Sequence, residues 1–257
     1  MYLPQTPHYL PALSFPLIEA RIARKPAIIL PVGGLEPLGR HVPLGAANLC
    51  VTALADQLSA ETGVLMAPLF PFGATRPFRA FGGAGGMHWK RLGAAVAAVL
   101  RDYIAQGARQ LLVVDGLYGN DASLAWAARY IQARYPQTTV SVLAWQREPD
   151  IRRFIGEATG TREPGRSEVG LLSMASALGM TFAPPDSQAK QAVKDPSAYR
   201  TWSRRGKDPE KFRKLYPDAT VAAHQVPVEK ALGEELLKRV VGLFVDRIEA
   251  SAQPGHK

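Results

Sequence analysis

Three short apolar runs do most to limit what this chain can fold into: PAIILPV (Pro26–Val32), QLLVVD (Gln110–Asp115) and TTVSVLA (Thr138–Ala144). Each is strand-length and stops at glycine, a polar residue or a turn, as buried strands do. The segments between them have helical spacing. Leu49, Val51, Leu54 and Leu58 mark a helix over Asn48–Thr62; Leu92, Val96, Val99, Leu100, Tyr103 and Ile104 mark one over Trp89–Gln106. Further helices are predicted at Ala122–Arg134, Glu168–Leu178 and Val228–Ala250, and a further strand within GVLMAPLFPFG, which begins at Gly63. Strands alternating with helices predict a mostly parallel sheet with helices on both faces. The expectation is one α/β domain over residues 1–257, with an insertion at about 183–225 where prolines and charges break the pattern.

A chain of 257 residues, 47% hydrophobic, buries a large core without disulfides or a structural metal. The single cysteine, Cys50, has no partner for an internal disulfide and cannot anchor a cysteine-based zinc site. No window approaches the roughly 18 apolar residues of a membrane span, and MYLPQTPHYLPALSFP lacks the basic start of a secretory signal. A cytoplasmic protein with no membrane partner is the expectation.

The formal charge is +9, and it is concentrated. From Lys190 to Lys214 there are nine Lys/Arg against three acids, hence +6, with Tyr199, Trp202 and Phe212 interspersed. Such a stretch suits a polyanion; the plainer reading is a solvated insertion whose aromatics pack on the body. No nucleic-acid motif accompanies it.

In open parallel sheets, ligands bind beyond the carboxyl ends of the strands. Four segments stand at such positions: GGLEPLGRH (Gly33–His41), FPFGATRPFRAFGG (Phe70–Gly83), DGLYGN (Asp115–Asn120) and REPGRSEVG (Arg162–Gly170). None is a phosphate-binding loop or dinucleotide fingerprint. No G-x-S-x-G accompanies them, and Cys50 lies on a buried helical face.

In order, these segments resemble the four loops of the creatininase (creatinine amidohydrolase) family. The family's G-[ST]-x-E-x-H-G-x-H-x-P-L-G-T-D is matched by GGLEPLGRHVPLGAA (Gly33–Ala47), and its N-G-H-x-x-N by DGLYGN. Its P-Y-G-x-S-x-E-H-x-x-F-P-G-T corresponds to PFGATRPFRAFGGA (Pro71–Ala84), and its H-A-G-x-x-E-T-S to Glu163–Gly170. The resemblance implies a three-layer α/β/α fold. It also implies two divalent metals, such as zinc or manganese, activating water against an amide-type C–N bond, and a homo-oligomer, often a hexamer.

The ligand positions differ. Leu38, Ala47 and Leu117 stand where the family has histidine, aspartate and histidine; Glu163 replaces the fourth-loop histidine, and Pro77-Phe78 the second-loop Glu-His pair. Glu36 remains, with Glu168 as a second carboxylate. Two readings follow. In the first, the dinuclear site is degenerate, no metal cofactor is held, and the protein binds a small molecule or assembles with other chains. In the second, a rebuilt amidohydrolase cleaves a cyclic amide or formamide with Glu36, Glu163 and Glu168 in acid-base roles and Arg166 stabilising the oxyanion. Arg166 is also expected to pair with Glu36, Glu163 or Glu168 in place of a cation. The remaining pocket candidates are His41, a base or a hydrogen-bonded structural residue; Asp115, a ligand-site acid or a turn cap; and Tyr118 and Asn120, which match family positions.

Overall fold

The computed structural model describes residues 2–160, 165–183, 195–205, 208–220 and 228–252. Four parallel strands, β1 (Ala27–Val32), β2 (Leu65–Met66), β3 (Gln110–Asp115) and β4 (Thr139–Leu143), form one sheet in the order β2-β1-β3-β4. β1 is buried along its whole length and β3 over all but its first residue, so both read as unbroken apolar runs.

Alternate residues of each strand feed two separate cores. Ile29, Leu112, Val114 and Leu143 face one layer of helices: α2 (Ala46–Thr62), α5 (Pro149–Thr159), α6 (Gly165–Ala177) and α9 (Lys230–Ala252). Ile28, Leu30, Val32, Leu111 and Val113 face the other: α1 (Phe15–Arg24), α3 (Trp89–Ala105) and α4 (Asp121–Arg134). The expected α/β fold, a parallel sheet between helical layers, is present. Among the described residues no helix is long and apolar enough to cross a membrane.

The strands at Pro26–Val32, Gln110–Asp115 and Thr138–Ala144 lie within a residue of their predicted bounds at each end. GVLMAPLFPFG does not form the strand its pattern predicts. β2 stops at Met66, and beyond it the segment makes isolated bridges, Val32↔Phe70 and Gly73↔Gly86, in place of a ladder. Pro68 and Pro71 lack the N–H that a ladder needs. Pro31 is tolerated inside β1 for a related reason. Its carbonyl accepts from Phe70 N–H (2.9 Å), so its missing N–H faces the side where β2 has already ended.

Helices α1 and α5 were not legible in the pattern. Each buries few side chains, Ile22 in α1 and Ile151 and Ile155 in α5, and each begins with a proline in its first turn. Two further helices, α7 (Pro196–Arg205) and α8 (Pro209–Leu215), lie in the stretch where prolines and charges break the sequence pattern.

Candidate functional site

β1 and β3 are neighbours, paired from Ala27↔Gln110 to Val32↔Asp115, so their carboxyl ends deliver Gly33–Glu36 and Asp115–Asn120 side by side. Asn120, fully buried, ties the loops together. Its amide donates to Gly33 O (3.1 Å) and Asp115 Oδ1 (3.1 Å), while its carbonyl accepts Ala74 N–H (2.8 Å). Asn48 on α2 makes a second tie, accepting Gly34 N–H (2.8 Å) and donating to Pro71 O (3.2 Å). The glycine at 73 is required by this closeness: a Cβ there would lie 2.7 Å from Gly33 O and 2.8 Å from Asn120 Oδ1. Asp115 accepts Leu117 N–H (3.0 Å), the bond that turns the chain out of the strand.

Three carboxylates share this end of the sheet. Glu36 leaves the first loop half-buried, Asp115 is buried at the tip of β3, and Glu168 is buried in the first turn of α6. Burial pushes the Glu36 carboxyl up to about 8, with the charges of Glu168 and Asp115 adding to the shift. Asp115 is pushed up to about 7, again by burial, against the lowering pull of Leu117 N–H, the Asn120 amide and the Arg147 charge. Around neutral pH, Glu36 therefore holds its proton, with the charges of Glu168 and Asp115 adding to the effect of burial.

Residues between α6 and α9 reach this cluster. Thr220 Oγ1 donates to Glu168 Oε1, and Tyr199 on α7 donates to Ala219 O (2.9 Å). The Tyr199 hydroxyl is pushed far up, first by burial, then by the charges of Glu168 and Glu36. An aromatic cluster anchors these residues: Phe212 of α8 meets Phe78 edge-on with centroids 5.1 Å apart, and Phe81, Tyr199 and Tyr216 surround it. Phe212→Ala is expected to cost about 3–5 kcal/mol locally. Hydrogen exchange should show protection lost over 195–220 while the amides of β1 and β3 stay protected; equal loss in the strands would contradict this anchoring role.

The sequence profile of creatinine amidohydrolases (Creatininase) matches residues 11–248, nearly the whole chain. The chain belongs to the creatininase family. A creatinine amidohydrolase of Pseudomonas putida is 29% identical over 108 residues, which span 40% of this chain and only 42% of that relative. A crystal structure of creatinine amidohydrolase (creatininase) superposes with a TM-score of 0.72 at 21% identity, covering 96% of this chain and 99% of that one. A putative creatinine amidohydrolase from Bacteroides fragilis gives 0.69 at 18% identity over the full length of both chains.

The creatininase neighbours also correct the expectation that no metal cofactor is involved. They include a mutant creatininase described as Zn–Zn type and a creatininase described as Mn, so a metal is the family's cofactor. At four positions where the family resemblance leads one to expect metal ligands, the side chains are hydrocarbon. Leu117 is fully buried in the core, and a Cβ on either Gly34 or Gly73 would lie 2.7 Å from its Cδ2. Leu38 and Ala47 are buried in the same apolar cluster, and Phe78 packs on Phe212. Hydrocarbon side chains at these four positions offer no lone pair. Among the described residues no three His, Cys, Asp or Glu side chains stand together as a metal would need. The described residues do not fit a two-metal centre.

The other predicted site residues are dispersed. The His41 ring meets Phe182 edge-on at 6.4 Å, and its carbonyl accepts Ala183 N–H (3.1 Å). Tyr118 lies under the Arg147 guanidinium at 5.5 Å, and Arg147 in turn pairs with Asp121. Glu163 and the side chain of Arg166 fall outside the described residues, and with them the pairing expected of Arg166. Tyr199 and Thr220 were missed as site residues. Tyr199 stood out only as an aromatic among charges, and nothing local distinguishes Thr220.

Proposed function

We propose that this creatininase-family chain has its dinuclear hydrolytic centre reduced to a covered carboxylate pocket, so that two-metal hydrolysis is lost and small-molecule binding is retained. The supporting observation is Leu117: at the third-loop histidine position it fills the space between Gly34 and Gly73 with hydrocarbon. Glu36, Glu168 and Asp115 supply acceptors and one exchangeable proton; Tyr199 and Thr220 belong to the cover. Purified protein equilibrated with zinc or manganese is expected to retain at most one ion per chain and to leave creatinine intact. Two ions per chain with creatinine turnover would overturn the proposal.

A second reading is favoured by the raised Glu36 carboxyl. Held near 8 beside Glu168 and Asp115, it has the proton affinity of a general acid at neutral pH. In that reading the pocket cleaves the C–N bond of a cyclic amide or formamide, and Glu36→Gln abolishes turnover while ligand affinity is kept. Residual turnover within tenfold of wild type in Glu36→Gln would eliminate it.

The same proposal holds the chain as one domain with 183–225 as its insertion, cytoplasmic, and assembled as a homo-oligomer of up to six copies. Exposed Phe15, Leu17, Phe72 and Trp89 offer apolar surface for such contacts. Light scattering on the eluting peak measures the assembly; a monomer at micromolar concentration would contradict it. A polyanion role for residues 190–214 gains little support. Of the three cations there with described side chains, Lys211 lies over Trp202, and Arg213 lies over Phe81 and donates to Ala80 O.

A further inference from the structure

The second loop carries two arginines that the carboxylate pocket leaves unused. Arg76 and Arg79 line a cleft of about 470 Å³ together with Gly86, Met87, His88 and Arg91. Among the described residues none of the three guanidinium groups has a carboxylate or a carbonyl as partner. Like charges gathered on one concave wall repel each other unless an anion sits among them.

The start of α3 adds an independent oddity. Helix N-termini favour acidic residues, because the first N–H groups point outward with partial positive charge. The first turn of α3 has no acid and carries Lys90 and Arg91 instead. His88 caps the helix by accepting Lys90 N–H at Nδ1 (3.4 Å), which leaves the neutral ring with its proton on Nε2 as a further donor. Three arginines and an imidazole donor thus line one cavity at the start of α3, and all of them suit an oxyanion.

The wall is also held in place. Thr75 Oγ1 donates to Gly85 O (2.9 Å), Met87 N–H donates to Gly73 O (2.9 Å), and Gly73 bridges Gly86. Phe78, between the two arginines, is buried in the aromatic cluster with Phe212. The arginine backbones therefore need little ordering before a ligand binds.

We propose that this cleft is an anion-binding site for a small molecule bearing a diphosphate group. Three fixed positive charges match the charge of a diphosphate, and arginine forks bind its oxygens in pairs. The cleft has the volume of sites that take nucleotide-sized molecules. It stands apart from the acidic Glu36 pocket in composition and in charge.

Calorimetric titration with inorganic pyrophosphate at low salt tests this. Saturable one-site binding is expected. It should weaken at least tenfold in the triple variant Arg76→Gln, Arg79→Gln, Arg91→Gln, and stay within twofold in Arg24→Gln, Arg101→Gln, Arg129→Gln, which removes the same charge elsewhere. ADP binding more tightly than pyrophosphate would identify a nucleotide as the ligand; equal affinity would assign recognition to the diphosphate alone. No saturable binding of pyrophosphate, or equal losses in the two triple variants, would overturn the proposal. All six arginines are exposed, so thermal melts of both variants should match wild type.

Discussion

Replacing Glu36 by glutamine is expected to stabilise the protein, and to stabilise it more at pH 8 than at pH 5. The carboxyl titrates at 4.5 when free and about 8 in the folded chain. Below 4.5 both states hold the proton and the group is neutral in its effect. Between these values the unfolded chain has released a proton that the folded chain still binds, so stability falls as pH rises. Above 8 the loss is complete. One proton gives a slope of about 1.4 kcal/mol per pH unit. Glu36 retains partial contact with solvent, which screens part of this, so a net gain of about 1–3 kcal/mol at pH 8 is expected. Asp115 acts in the same sense between 3.8 and about 7 and remains in the variant. Equilibrium denaturation at pH 5, 6, 7 and 8 would show the curves of wild type and Glu36→Gln diverging with pH. Parallel curves would mean that Glu36 is not held protonated.

Asn120→Ala should have the opposite sign and a comparable or larger size. The substitution removes the partner of Gly33 O, Ala74 N–H and Asp115 at once. Each buried polar group left without a partner costs about 1–3 kcal/mol, so a total of about 3–5 kcal/mol is expected after partial relaxation. Asn120→Asp separates this tie from simple packing. The side chain keeps its shape, yet an oxygen then faces Gly33 O and the Asp115 carboxyl where an N–H₂ stood. At pH 8 the aspartate variant should be at least as unstable as the alanine variant. If Asn120→Asp were close to wild type, the three-loop tie would not be what holds the site.

The two effects arise from one arrangement. A parallel sheet brings two loop starts together, and their acids become close neighbours whether or not a metal separates them. Here a retained proton on Glu36 and hydrogen bonds on Asp115 and Glu168 offset their charge among the described residues.

The three main strands and the helices α2, α3, α4, α6 and α9 were legible in the sequence because their signal is local. Strand-length apolar runs and helical spacing depend only on near neighbours. The four loops and the family they resemble were legible for the same reason, as ordered short motifs. Leu38, Ala47 and Leu117, apolar where the family resemblance leads one to expect metal ligands, lie in the core. The sequence could not show that β2 would shrink to Leu65–Met66, since that depended on where Pro68 and Pro71 met the edge of β1. Nor could it show that Thr220, 52 residues from Glu168, would close on it, or that Phe212 would lock α8 onto Phe78. The raised carboxyls and the convergence of Arg76, Arg79 and Arg91 on one cleft depend on burial and distance between segments far apart in the chain. Residue types are written in the sequence, whereas their proton affinities and partners were decided only when the tertiary structure fixed what surrounds them.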